Sequence, residues 1–143
     1  MYVQQISVFI ENQPGTLAEF SELLSRESID LVALSIADTA NFGIIRCIVS
    51  DYEQAMKVMG EAGYTARLTD VLAVKVPDAP GGMAKAVRAL TDAGISIEYL
   101  YSFVRTAGSS ALLIFRVENL AKATQVLNEC GVEMITQEQI RTL

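Results

Sequence analysis

From Gln5 to Ile10 apolar and polar positions alternate. Ile6, Val8 and Ile10 fall in phase against Gln5, Ser7 and Phe9, which is the period of a β-strand. The period then changes. Leu17, Phe20 and Leu24 recur at helical spacing, and Ser28-Ile29-Asp30 breaks that helix. Val32, Leu34 and Ile36 alternate as a second strand, Ala40-Asn41-Phe42-Gly43 signals a turn, and Ile45, Cys47 and Val49 form a third strand. Ser50 with Glu53 three residues on reads as a capping box opening a second helix. Ala55, Val58, Met59 and Ala62 line its apolar face. Gly63 ends it, and Tyr64 to Leu68 make a fourth strand.

The remainder of the chain repeats this pattern. A shift of 66 residues places Pro14-Gly15 on Pro80-Gly81, Leu24 on Leu90 and Ile29 on Ile95; a shift of 68 then places Val49 on Val117, Ala55 on Ala123 and Gly63 on Gly131. The second copy predicts strand 71–76, helix 81–93, strands 96–105 and 110–117, helix 119–130 and strand 132–136. Two copies of one folding unit follow, residues 1–70 and 71–143, each in the order βαββαβ. That order is ferredoxin-like: four antiparallel strands with two helices on one face, an α+β fold. One face of each sheet is left without helices, to be covered by a partner sheet or an edge-to-edge neighbour. Thr69-Asp70 leaves almost no linker, so the copies must lie close together.

Each copy carries the same loop between its first strand and first helix: Asn12-Gln13-Pro14-Gly15-Thr16-Leu17, and Asp78-Ala79-Pro80-Gly81-Gly82-Met83. Proline fixes the turn and offers no N–H, while glycine admits a ligand close to the backbone. The first-turn amides of a helix have no intrahelical acceptor, so a carboxylate gains hydrogen bonds and a favourable dipole there. Asn12 both donates and accepts, which suits a zwitterion; an ionised Asp78 only accepts, which suits an ammonium. Any strand-to-helix turn favours Asn, Pro and Gly, and a duplication copies a structural turn as readily as a binding one.

Totals narrow the function. The chain has 143 residues, 51% apolar and 20% charged, with a net charge of −6 and no basic run. Nucleic acid is therefore not an expected partner. The apolar runs are strand-sized, too short for a bilayer, and the N-terminus lacks the marks of a signal peptide, so the expected location is the cytoplasm. There is no histidine and there are only two cysteines, which removes the commonest general base and any four-ligand zinc site. No cofactor or metal is expected.

The segment Glu11-Asn12-Gln13-Pro14-Gly15-Thr16-Leu17, followed by Ile29-Asp30-Leu31, resembles the signature of ACT domains. It is particularly similar to the serine-sensing regulatory domain of phosphoglycerate dehydrogenase. The resemblance covers the whole chain as two ACT units in tandem. It departs in the second copy, where Asp78 replaces Asn12 and Ser96 stands in place of Asp30. The resemblance implies two units side by side in one eight-stranded sheet, with an amino acid bound at the seam. Asn12 and the 14–17 amides would face the strand beginning at Ser96; Asp78 and the 80–83 amides would face the strand beginning at Asp30. It further implies a non-catalytic sensor of free amino acids, a homodimer, and a metabolic enzyme as a further partner. Two other functions compete: an interaction or oligomerisation module that binds no ligand, and a small ferredoxin-like enzyme.

Tyr99, Tyr101 and Phe103 share one strand face. They line the pocket opposite the first loop, with Tyr99 as a ligand contact, or else cover the helix-free sheet face or a dimer contact. Cys47 and Cys130 read as small core residues. Asp38 reads as solvated turn chemistry. Arg46 and Arg116, on the third strands, are candidates for an effector carboxylate, although strand arginines usually just keep a surface polar.

Overall fold

A computed structural model describes residues 2–38, 42–104, 108 and 110–143. The first copy supplies strand β1 (Val3–Glu11), helix α1 (Thr16–Arg26), strands β2 (Leu31–Asp38) and β3 (Phe42–Val49), and helix α2 (Tyr52–Glu61). The strand β4 (Thr65–Pro77) follows, then α3 (Gly82–Asp92), β5 (Ile97–Ser102), β6 (Ser110–Val117), α4 (Leu120–Glu129), β7 (Glu133–Ile135) and α5 (Gln137–Arg141). Each helix is amphipathic and stops as its sequence dictates. Ile29 N–H returns to Leu24 O and Ile95 N–H to Leu90 O, both at 2.9 Å, so the two copies end their first helices identically. Ala40 and Asn41 of the expected turn, and Arg105 of the expected strand, lie outside the described residues.

The strands join in one antiparallel sheet, in the order β2-β3-β1-β4-β6-β5, with β7 also pairing β4. The expected single sheet is present, but with seven strands instead of eight. The last strand of the first copy and the first strand of the second run on as β4, thirteen residues without a break. Thr65 to Val71 pair with β1, and Leu72 to Pro77 pair with β6. Thr69-Asp70 is not a linker but the middle of a strand, because it carries no glycine or proline to bend the chain.

The sheet curls. β2 shifts register between Leu31 and Ala33, and β5 between Ile97 and Tyr99, at positions related by the repeat. Such irregularities increase right-handed twist and bend a strand. The two outer strands meet: Ala33 bridges Phe103, and Val104 N–H donates to Val32 O at 2.8 Å. The helix-free faces thereby become an inner face, and each covers the other.

Three apolar layers result. Phe20, Leu24, Ala55 and Met59 pack on Ile6, Val8 and Ile45 outside the first half. Ala86, Leu90, Ala123 and Leu127 do the same on Val74 and Phe115 outside the second. The middle layer draws from both halves, with Val32, Ala33 and Ile48 against Tyr101, Phe103 and Ile114. Helices α1 to α4 lie on the outer face, as expected. Helix α5, which the sequence pattern did not suggest, instead sends Ile140 into the middle layer; Thr136 and Gln139 form its capping box.

Two further readings need correction. Helix α2 is capped not by Ser50 but by Asp51, whose carboxylate accepts from Gln54 N–H at 3.1 Å. The Ser50 hydroxyl is engaged elsewhere, accepting from Asp30 N–H at 3.0 Å. Cys47 is buried as expected, but Cys130 is exposed, because it is the C-terminal cap of α4 and lies past its buried stripe.

Burial alone pushes the Cys47 thiol up to about 12. At pH 8 a disulfide reagent is therefore expected to modify Cys130 rapidly and Cys47 only after unfolding; rapid labelling of both thiols in the native protein would contradict the packing. In the middle layer, truncating the fully buried Ile114 to Ala is expected to cost about 2–5 kcal/mol in denaturant titration. Unfolding should remain a single transition, since that layer belongs to both halves.

Candidate functional site

The two loops fold alike. Gly15 and Gly81 precede α1 and α3 with φ of 95° and 87°, a left-handed conformation that a Cβ disfavours. Thr16 N–H donates to Gln13 O at 3.3 Å, and Gly82 N–H donates to Ala79 O at 3.0 Å. Glu19 N–H and Lys85 N–H close the first helical turns on Gly15 O and Gly81 O. In each loop the first amide is thus taken by the turn itself. The next two, of Leu17 and Ala18 and of Met83 and Ala84, have no backbone acceptor among the described residues.

The loops differ in their braces. The Thr16 hydroxyl donates within the first loop, at 2.9 Å from both Glu11 O and Gln13 O. Gly82 stands at the equivalent position in the second, where a Cβ would collide with the Pro77 carbonyl. Asn12, Gln13, Pro14, Leu17, Asp78, Pro80, Gly81 and Met83 are all exposed.

The loops lie at opposite ends of β4, since β1 ends beside Thr65 and β4 itself ends at Pro77. The Ala33–Phe103 bridge sets which strand start lies toward which loop. The start of β5 runs toward Asp38, whose partner Gly43 pairs with Ile10 beside the first loop. The start of β2 runs toward Phe103, and through Leu112 and Lys75 toward the second loop. Ser96 therefore lies on the first-loop side and Asp30 on the second-loop side. Asp30 is tied by its backbone to Ser50, which donates to Asp30 O at 3.0 Å. Ser96 is exposed and lines an open cavity of about 500 Å³ with Glu118, Asn119 and Lys122. The side chain of Asp38 is not among those described.

Tyr99 belongs to a different group. Its hydroxyl accepts from Gln5 Nε2 at 2.7 Å, and the Arg46 guanidinium lies 3.9 Å above its ring centre. Gln5 is wholly buried; its Oε1 accepts from the Tyr101 hydroxyl at 2.6 Å. Burial, with smaller contributions from Cys47 and Tyr99 and against the pull of Arg46, holds the Tyr101 phenol above the usual tyrosine range. This inner polar group was not recognised from sequence. Its signal was faint: Gln5 shares a strand face with Val3, and only the curl of the sheet brings that face against the tyrosines. Arg116, by contrast, is committed to its surroundings, donating to Val117 O at 2.8 Å and pairing with Glu98 at 3.5 Å. Among the described residues no cluster of His, Cys, Asp and Glu could hold a metal ion, and no helix is long and apolar enough to cross a membrane.

A family model described as an ACT domain pair matches residues 1–143. Among solved structures, the chain is similar to a protein from Bacteroides thetaiotaomicron at 37% identity and a TM-score of 0.93, covering 100% of this chain and 98% of that one. It shares its fold with the ligand-free regulatory subunit of aspartate kinase from Thermus thermophilus, at 20% identity, TM-score 0.65, and 89% and 91% coverage. The corresponding subunit from Thermus flavus gives 20% identity and a TM-score of 0.60, covering 92% of this chain and 94% of that one. Comparison with curated protein sequences yields no match.

The loop geometry makes a stability prediction. Gly15→Ala is expected to cost about 1–2 kcal/mol from backbone conformation alone, since its Cβ would meet nothing within 4 Å. Gly82→Ala should cost more, because the Pro77 carbonyl must move. Equal and negligible losses in thermal denaturation would contradict the geometry described.

Proposed function

The chain belongs to the family of ACT domain pairs, and on that premise we propose that it is a non-catalytic regulatory protein that binds a free amino acid between its two units. The units are read as residues 1–70 and 71–143; β4 changes its neighbour from β1 to β6 between Val71 and Leu72, one residue beyond that boundary. The observation that carries the reading is the duplicated loop. In both copies two consecutive first-turn amides have no backbone acceptor among the described residues, and the same loop carries a polar residue, Asn12 or Asp78. A ligand carboxylate gains those amides and the dipole of α1 or α3. The first site comprises Asn12 with the Pro14–Leu17 segment and the strand start at Ser96. The second comprises Asp78 with the Pro80–Met83 segment and the strand start at Asp30. Antiparallel continuity across the β2–β5 seam supports this pairing of loop with strand. Tyr99 is left out of this contact set, because it sits with Gln5 and Arg46 on the inner face of the sheet and not at the turns before α1 and α3.

Binding at such a seam has a regulatory consequence only through a partner that distinguishes the filled state from the empty one. A metabolic enzyme is the partner class we propose, with a second copy of this chain as the means of presenting two seams. The two Thermus structures are regulatory subunits of aspartate kinase, and that fold likeness supports a detached regulatory role.

Thermal denaturation with each common amino acid tests the reading. A true ligand at about 100 times its dissociation constant should add roughly 2.7 kcal/mol. Asn12→Ala should weaken that effect, read as the ligand-induced shift of the variant against its own unliganded midpoint. No stabilisation by any amino acid at millimolar concentration would overturn the proposal.

A further inference from the structure

The inner face of the sheet is closed by the middle layer at one end and open at the other. At the open end four residues form a row across four strands. Ser35 pairs with Arg46, Arg46 with Ser7, and Ser7 with Arg67. Directly opposed residues project from the same face with Cβ atoms about 5 Å apart. The row is therefore two guanidinium groups, each beside the same serine, with a second serine outside them. The next row outward is Ala37, Ile44, Phe9 and Thr65, of which Phe9 is 38% exposed, so the row is reached from solvent.

Among the described residues no ion pair is made by Arg46 or Arg67. Neither row contains a carboxylate, and the ion pairs recorded among the described residues are Lys75–Glu133, Arg88–Asp92 and Arg116–Glu98. The two like charges stand on either side of Ser7, about 10 Å apart by strand spacing, and repel one another unless an anion lies between them. The arrangement is the more notable on a chain of net charge −6, with only 11 basic residues to place.

The buried amide beneath the row aims further donors at it. Tyr101 donates to Gln5 Oε1, so the Gln5 NH₂ faces the other way. It donates to the Tyr99 hydroxyl at 2.7 Å and toward Ser7 Oγ at 3.4 Å. Both hydroxyls are thus acceptors toward the interior, which leaves their own O–H groups to donate outward. Arg46 is stacked on the Tyr99 ring. Stacking uses the face of the guanidinium and leaves its in-plane N–H groups for a planar or tetrahedral oxyanion.

We propose that this row is an oxyanion site, in which Arg46 and Arg67 clamp a carboxylate- or phosphate-bearing small molecule over Ser7, with the Tyr99 hydroxyl as a further donor. The site is distinct from the loops: Ser7 and Arg46 lie on the inner face, whereas Asn12 and Asp78 lie in the turns before α1 and α3. A ligand here ties β1, β3 and β4 to β5 through Tyr99, so it bears on the same seam from within. The proposal does not depend on amino-acid binding at the loops.

The test uses the whole chain with inorganic phosphate and succinate as probes, each against chloride at matched ionic strength, read by calorimetric titration and thermal shift. At least one probe should bind saturably. Arg67→Gln and Arg46→Gln should each weaken that binding about tenfold or more, equivalent to about 1.4 kcal/mol. Arg67 is exposed, so its variant keeps the fold; Arg88→Gln, which removes the same charge from α3, should leave binding unchanged. Stronger binding of phosphate identifies a phosphorylated ligand, and stronger binding of succinate a carboxylate. Binding of neither probe beyond chloride overturns the site, as does equal weakening by Arg88→Gln. Asn12→Ala should not change the result, which separates this site from the loops.

Discussion

The fold depends on one constraint: two sheets that each lack a covering layer must cover one another. A ferredoxin-like unit buries one sheet face under its helices and leaves the other apolar. Here the unprotected faces carry Val32, Ala33 and Ile48 on one side and Tyr101, Phe103 and Ile114 on the other. Removing them from water contributes about 25 cal/mol per Å² of apolar surface buried, which favours the closed arrangement of the two units. The chain achieves this without a hinge. Its thirteen-residue strand β4 serves both halves, and matched irregularities in β2 and β5 turn the sheet until its outer strands touch.

That closure explains why a binding function would be shared between halves. Each loop sits at an end of the curled sheet, toward the start of the other unit's second strand, so a ligand at the proposed sites would touch both halves. The β2–β5 seam, joined by the Ala33–Phe103 bridge and the Val104–Val32 hydrogen bond, is part of the middle layer itself, since Val32, Ala33 and Phe103 are buried there.

Much of this was legible in the residues. Periodicity located the strands and four long helices, and the shifts of 66 and 68 carry α1 onto α3 and β3 onto β6 residue for residue. Three features were not legible, each for a physical reason. The fusion into β4 needed knowledge that Thr69-Asp70 pairs with Gln5 and Gln4, a long-range contact. Helix α5 has only five residues, too few to show a period; its Thr136 cap was readable, its Ile140 anchor was not. The inner polar group needed the curl, since Gln5 and the tyrosines are more than 90 residues apart in sequence. The loops were found because their chemistry is local: proline, glycine and a short polar side chain act within six residues.

The central claim is that an amino acid is held between the halves, touching a loop from one and a strand start from the other. Hydrogen exchange with and without an equimolar mixture of the twenty common amino acids tests it most directly. The account predicts slowed exchange at two places together, the Leu17 and Ala18 amides and the amides at the start of β5, with the middle layer unchanged. Protection confined to one unit, or no protection at either loop, would contradict it.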